Sequence, residues 1–138
     1  MRQGIQTNFK HAELRNWGCY FFTLCAWVCI AFNKDFSDDF IIEKFYEYCR
    51  KCWIGDKCWI REPVKIFNDL AGQPDYFTSV ERSPNVPATR RFPVFFDGRI
   101  THFALGESAN GTVEIVWDSW NPPALQRGLS VTNYRAFK

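Results

Sequence analysis

The hydrophobic and polar positions divide the chain into a helical first half and a strand-rich second half. The longest apolar stretch lies between Arg15 and Lys34, where 18 residues carry no charge. This length would suffice for a transmembrane helix. Asn, Trp and Gly stand at its ends, however, and three cysteines and a threonine interrupt it. Because a helix buried in a protein core is also apolar on all sides, we predict a buried helix and no membrane span.

Two further helices follow from the spacing of apolar residues. Ser37 is a suitable N-cap, and Asp38 and Asp39 would occupy a first helical turn, where acidic side chains are favourable. Gly55 and Asp56 end this second helix. Its predicted apolar stripe consists of Ile41, Phe45, Tyr48, Cys49 and Cys52. A third, shorter helix is predicted between Pro63, which suits a first helical position, and Gly72, which suits a helix end.

Beyond Gly72 the prolines cluster and the apolar period shifts towards two, which indicates strands. Asn110 and Gly111 predict the turn of a hairpin. The predicted strands cover residues 76–82, 91–96, 99–106, 112–120 and 129–137. Three helices followed by four or five strands predict an α+β fold with an antiparallel sheet. A length of 138 residues suits one domain, which we assign to residues 1–138.

Composition narrows the class of protein further. Seventeen basic and fifteen acidic residues give a net charge of +2. This balance argues against nucleic acid or an anionic membrane as the main partner. Aromatic residues reach 18% and predict a core filled with large rings. The first fifteen residues show no secretory signal, so we predict a cytoplasmic protein with reduced cysteines. Export by a route without such a signal is the alternative.

Cys19 is the candidate nucleophile because it stands at the start of the predicted buried helix. The N-terminus of a helix stabilises an anion and lowers the pKa of a thiol there. Gly18 would leave room for a substrate backbone beside the sulfur. Cys25 and Cys29 lie deeper in the helix, where a thiol serves as a small apolar filler. The alternative is that Cys19 is a third filler of this kind.

The chain has two histidines, and a Cys–His enzyme must use one of them. We expect His11 in a loop near the surface. His102 lies on the first arm of the predicted hairpin and Asp118 on the second, where the carboxylate could orient the imidazole. A strict two-residue turn would place these two side chains on opposite faces of the sheet. The pairing therefore predicts a longer loop or a bulge near residues 106–111.

Four segments resemble conserved blocks of known proteins. Three of them look like the active-site blocks of papain-like cysteine peptidases, closest to the bacteriocin-processing family C39: NWGCYFFTLCAW (16–27), HFALG (102–106) and VWDSWNP (116–122). A fourth, CWIREPVKIFNDLAG (58–72), looks like the second helical block of small uncharacterised peptidase-like phage proteins. The resemblance implies a papain-like fold over most of the chain and a Cys19–His102–Asp118 triad.

The resemblance also implies a mechanism and a substrate class. Cys19 would attack the carbonyl of a peptide or amide bond, His102 would transfer the proton, and Asp118 would orient His102. The oxyanion would be bound by the backbone N–H of Cys19 and by the side-chain amide of Gln6, with Asn16 as a further candidate. No cofactor or metal is required. The implied partner is a peptide or protein substrate, and a protein partner could complete the site.

The chain departs from the family pattern at two positions. The family usually has a Gln six residues before the cysteine, whereas this chain has Glu13, which has no proton to donate when ionised. Ser119 follows Asp118 where the family usually has Pro. The residues expected to line a substrate groove are Trp17, Gly18, Trp120 and Asn121.

Three other functions compete with a peptidase. A papain-like domain with weak or no catalysis could bind a peptide in the same groove, and Glu13 favours this alternative. An amidase acting on cell-wall peptide would suit a phage protein or an effector. A zinc-stapled interaction domain could use Cys49, Cys52 and Cys58, but these three lack a fourth ligand and a second close pair.

Overall fold

The computed structural model describes residues 1–138 and contains four α-helices and one five-stranded antiparallel sheet. The predicted α+β class is therefore confirmed. The helices are α1 (Ala12–Trp17), α2 (Cys19–Phe32), α3 (Asp38–Arg50) and α4 (Pro63–Ala71). The strands are β1 (Val80–Ser83), β2 (Arg91–Asp97), β3 (His102–Ala109), β4 (Thr112–Trp117) and β5 (Ser130–Phe137). Short 3-10 turns cover Ile5–Asn8, Asp56–Cys58 and Ala124–Arg127.

Helix α2 forms the centre of the larger hydrophobic core. Every residue from 21 to 29 is buried, so the prediction of a buried helix is confirmed. Trp27 packs edge-on against Phe67 of α4, with ring centroids 4.6 Å apart, and against Phe137 of β5 at 5.0 Å. None of the helices combines the length and the apolar character that a membrane span requires.

Helix α3 begins, and helix α4 begins and ends, at the predicted residues. The Ser37 hydroxyl accepts a hydrogen bond from the Phe40 N–H and caps α3. Pro63 is the first residue of α4, and Gly72 ends it with a φ of 68°, a left-handed conformation that glycine adopts without strain. The apolar stripe on α3 was predicted one turn too long. Cys52 is exposed, because α3 ends at Arg50.

The strands lie in the order β1-β5-β2-β3-β4, and all neighbours are antiparallel. The helices cover one face, where Leu105, Trp117 and Phe137 join the larger core. The other face buries a second, smaller cluster consisting of Phe92, Val94, Phe96, Ala104, Ala124 and Leu129.

Several predicted boundaries were wrong. Helix α1 was not predicted, and the apolar stretch of residues 16–33 divides at Gly18 into the end of α1 and the whole of α2. The strand predicted at 76–82 begins only at Val80, because the Asn68 side chain bonds to Phe77 and Pro74 and holds this segment against α4. Strand β3 begins at His102, three residues later than predicted, and β4 ends at Trp117, three residues earlier.

Candidate active site

A bulge in the β3–β4 hairpin determines which face of the sheet Asp118 occupies. Ala109 pairs with Thr112 across a two-residue turn, and Gly106 pairs with Ile115. Leu105, however, pairs with Trp117, so Val116 is an extra residue on β4. A bulge in this hairpin was predicted, and it lies between Leu105 and Gly106. One extra residue reverses the side-chain alternation along a strand. Asp118, which follows β4, therefore lies on the same face of the sheet as His102.

His102 and Asp118 form a buried hydrogen-bonded pair. The Nε2 of His102 lies 2.6 Å from Oδ1 of Asp118, and both side chains are buried. The same Oδ1 accepts the N–H of Trp120 and Oδ2 accepts the N–H of Ala124, each at 2.9 Å. A carboxylate can only accept, so the proton lies on Nε2 and the Nδ1 atom of neutral His102 carries a lone pair. This Nδ1 is buried and has no hydrogen-bond partner.

The surroundings of His102 keep its ring neutral and away from water. The Trp120 ring stacks on the imidazole, with centroids 3.6 Å apart and planes 24° apart. The Arg127 guanidinium lies over the Trp120 ring at 4.4 Å. Burial lowers the pKa of His102, although the hydrogen bond to Asp118 raises it in part. The imidazole is therefore uncharged at neutral pH, and its Nδ1 lone pair has no partner.

Cys19 is the first residue of α2 and is half-buried. Burial raises the pKa of its thiol to about 11, although the backbone N–H groups of Phe103 and Tyr20 act in the opposite direction. This shift is opposite to the lowering that the helix N-terminus alone predicts. The thiol is therefore protonated at neutral pH.

The structure brings Cys19 to the segment that carries His102. The N–H of Phe103, the residue after His102, stabilises the ionised Cys19 sulfur, and the Asp118 charge opposes its ionisation. The Thr23 hydroxyl lies 2.8 Å from the carbonyl oxygen of Cys19 and 3.3 Å from that of Phe103, which ties α2 to β3. Cys19, His102 and Asp118 thus lie in one region, although the thiol makes no hydrogen bond to Nδ1.

The N-terminal segment supports the Asp118 loop. Gln6 is buried, and its Oε1 accepts the Ser119 hydroxyl at 2.6 Å. Its Nε2 donates one of two protons to the Arg15 carbonyl at 3.0 Å. Gln3 accepts the Asp118 N–H through Oε1 at 3.0 Å. Gln6 thus lies where α1 meets the Asp118 loop with one amide proton left for a ligand. Gln3 was not predicted, since no motif surrounds it in the sequence.

The other predicted site residues have different exposures. Asn16 and Trp17 are exposed on α1, with Lys57 Nζ 5.4 Å from the Trp17 ring. Asn121 is exposed and packs against Gly4. Gly18 is buried, and a Cβ there would lie 2.5 Å from the Leu14 carbonyl oxygen. The close α1–α2 junction is therefore a sufficient reason for this glycine.

Two further expectations concern His11 and Glu13. His11 lies just before α1 as its half-buried N-cap, in agreement with the expected loop position, and its Nε2 lies 2.8 Å from the Tyr46 hydroxyl. Glu13 accepts a hydrogen bond from the Cys58 N–H at 3.3 Å. Glu13 therefore acts as a hydrogen-bond acceptor for the turn at Asp56–Cys58.

The cysteines are all free thiols. Cys49 is half-buried, Cys52 exposed and Cys58 buried. No group of three or more His, Cys, Asp or Glu side chains has the geometry to hold a metal ion. The zinc-stapled alternative therefore receives no support from the structure.

A family model described as "Protein of unknown function, DUF261" matches residues 1–138. The chain belongs to the DUF261 family. Neither a curated protein nor a solved structure matches the chain.

Proposed function

We propose that this member of the DUF261 family is a thiol hydrolase with a papain-like fold, which cleaves a peptide or amide bond. The observation that carries the proposal is the state of His102. Asp118 fixes its tautomer, Trp120 covers its ring, and its buried Nδ1 lone pair has no partner. A buried acceptor without a donor requires an explanation. Proton transfer from Cys19, which lies beside the same strand, supplies one.

In the proposed reaction the proton moves as the sulfur attacks. His102 Nδ1 takes the proton of the Cys19 thiol while the sulfur bonds to the substrate carbonyl carbon, and Asp118 stabilises the imidazolium that forms. The tetrahedral intermediate collapses when Nδ1–H protonates the leaving amine, which leaves a thioester on Cys19. Water, deprotonated by His102, then attacks the thioester and releases the carboxylic acid and the free thiol.

The oxyanion of this intermediate needs hydrogen-bond donors. The backbone N–H of Cys19 opens α2 and is one candidate. Gln6 Nε2 is the side-chain candidate, since it retains one proton beyond the bond to Arg15. Asn16 is exposed, so its side chain would join only when a substrate covers it.

The test compares two classes of reagent on the same cysteines. A small alkylating reagent requires a thiolate, whereas a peptidyl vinyl sulfone reacts within a bound complex in which His102 can take the proton. We expect iodoacetamide to modify exposed Cys52 faster than Cys19, and the peptide reagent to favour Cys19. His102→Ala should abolish the preference of the peptide reagent for Cys19 and leave the rate of Cys52 modification unchanged. Mass spectrometry resolves the sites, and circular dichroism checks that the variant folds.

Buried Cys25 provides the internal reference for this experiment. If Cys19 remains as unreactive as Cys25 towards every reagent between pH 6 and pH 10, the hydrolase proposal is wrong. If Cys19 reacts, turnover of a peptide library that includes cell-wall peptides identifies the substrate class and separates a peptidase from a cell-wall amidase.

A peptide-binding module without catalysis is the second candidate. It is favoured by the raised pKa of the Cys19 thiol and by Glu13, which accepts a hydrogen bond at the position where the peptidases that the sequence resembles have a donating Gln. In that case a peptide from the library binds with the same affinity to the wild type and to Cys19→Ala, and no peptide is cleaved.

A further inference from the structure

Two arginines face each other across neighbouring strands without a carboxylate between them. Arg82 of β1 is the direct partner of Arg135 of β5. Like charges in directly opposite positions destabilise a sheet. Arg135 donates only to the Asn133 side chain and the Tyr134 carbonyl. The fold therefore contains a cost in charge repulsion that none of its own acidic groups offsets.

Arg135 is also partly withdrawn from water. Its guanidinium carbon lies 5.0 Å from the centre of the Phe103 ring and 5.4 Å from that of the Phe95 ring. Burial lowers its pKa, and the Arg82 charge lowers it further. A half-buried guanidinium that lacks an anionic partner is unfavourable, because desolvation of a charge is costly unless the charge is paired.

A hydroxyl without a partner lies in the same region. The Tyr20 ring stacks on Phe103, with centroids 4.1 Å apart, and its Oη is buried without a hydrogen bond. Burial raises the pKa of Tyr20, and the Arg135 charge acts against this rise. Arg135 thus lies close enough to both Arg82 and Tyr20 to affect their charges, and none of the three side chains bonds to a carboxylate of the chain.

We infer that Arg135, Arg82 and the Tyr20 hydroxyl form a binding site for the carboxylate of an acidic peptide. Guanidinium groups bind carboxylates through two parallel hydrogen bonds, and a hydroxyl adds a third donor. Tyr20 follows Cys19, and Phe103 follows His102, so the site lies beside the candidate nucleophile. The assignment of the peptide as a substrate rests on the proposed function, whereas the carboxylate site itself does not.

The test measures peptide affinity in a chain that cannot turn the peptide over. Isothermal titration calorimetry on Cys19→Ala compares pairs of capped peptides that differ only by Glu or Gln at one position. This position is moved along the peptide from one pair to the next. A second pair compares a free C-terminal carboxylate with its amide. We expect the acidic member of one pair to bind at least about tenfold more tightly, the range of charged hydrogen bonds. The pair that responds identifies the source of the carboxylate.

Substitutions then assign the preference to the site. Arg135→Gln should remove it, while Arg82→Gln and Tyr20→Phe should each reduce it severalfold. Arg50→Gln is the matched control, since this exposed arginine ends α3 and lies outside the site. Urea denaturation of Arg135→Gln shows whether the variant is folded, so that misfolding can be separated from a loss of affinity.

The inference is overturned if acidic and neutral peptides bind equally, if neither binds, or if the preference survives Arg135→Gln. Its failure can be distinguished from failure of the proposed function. If the protein cleaves peptides regardless of acidic groups, the hydrolase proposal stands and the carboxylate site is refuted. If acidic peptides bind through Arg135 but Cys19 does not react, the carboxylate site stands and the hydrolase proposal is refuted.

Discussion

Asp118 offers the sharpest test of the candidate site, because its carboxylate satisfies three donors at once. Substitution by alanine leaves the Nε2–H of His102 and the backbone N–H groups of Trp120 and Ala124 without an acceptor. Each unpaired buried donor costs about 1–3 kcal/mol. We expect Asp118→Ala to lower the free energy of unfolding by about 3–9 kcal/mol, a large share of the roughly 5–15 kcal/mol of a typical domain.

Asparagine at the same position separates the charge from the hydrogen bonds. Its side-chain oxygen, placed where Oδ1 lies, still accepts hydrogen bonds from His102 and Trp120. Its NH₂ group takes the place of Oδ2, so that only the Ala124 N–H loses its acceptor. The expected loss is about 1–3 kcal/mol. The pKa of His102 should fall further in this variant, because burial remains while the negative charge that raises it is gone.

Urea denaturation gives the free energies, and NMR titration of the imidazole signals gives the pKa. Asp75→Ala serves as the control, since this aspartate is exposed and surface substitutions change stability by only about 0.5 kcal/mol. The order of stability should be wild type and Asp75→Ala, then Asp118→Asn, then Asp118→Ala. An Asp118→Ala variant within about 1 kcal/mol of wild type would refute the described network.

Three further predictions concern the bulge, the helix junction and the thiols. Deletion of Val116 should break the His102–Asp118 hydrogen bond, which NMR of the imidazole would show, whereas Val116→Ala should keep it. Gly18→Ala should cost about 1–3 kcal/mol in urea denaturation, since its Cβ would meet a carbonyl oxygen at 2.5 Å; an unchanged midpoint would contradict this. Burial raises the pKa of Cys25 and Cys58. The unfolded chain therefore binds fewer protons above about pH 8.5, and stability should fall there by about 1.4 kcal/mol per pH unit and thiol. Urea midpoints that stay level from pH 8 to pH 10 would exclude this behaviour.

Local sequence signals predicted the elements that local chemistry determines. Ser37, Pro63 and Gly72 act on the backbone within one turn of themselves, so the start of α3 and both limits of α4 could be predicted closely. The bulge could also be predicted, because the two-residue turn and a shared face for His102 and Asp118 are incompatible without an extra residue. Its position at Val116 could not, since the sequence around it shows no irregularity.

Other features depend on contacts between distant residues. Strand β1 begins late because Asn68, on a helix, binds the preceding segment. Gln3 supports Asp118 from the opposite end of the chain. The raised pKa of Cys19 depends on how deeply the tertiary structure buries the sulfur, whereas its position at a helix N-terminus predicts the opposite sign. Such effects cannot be obtained from a local pattern.

The hydrogen bonds between the N-terminal segment and the Asp118 loop have a consequence for how the protein is made. Gln3 and Gln6 bond to residues that lie 115 and 113 positions later in the sequence. A ribosome synthesises Cys19 about a hundred residues before Asp118, the residue that orients His102. Contacts of such long sequence separation form slowly in folding. The nascent chain therefore carries the Cys19 thiol before the proposed base is in place, and the proposed activity would begin only after the Asp118 loop has been synthesised and has paired with the N-terminal segment.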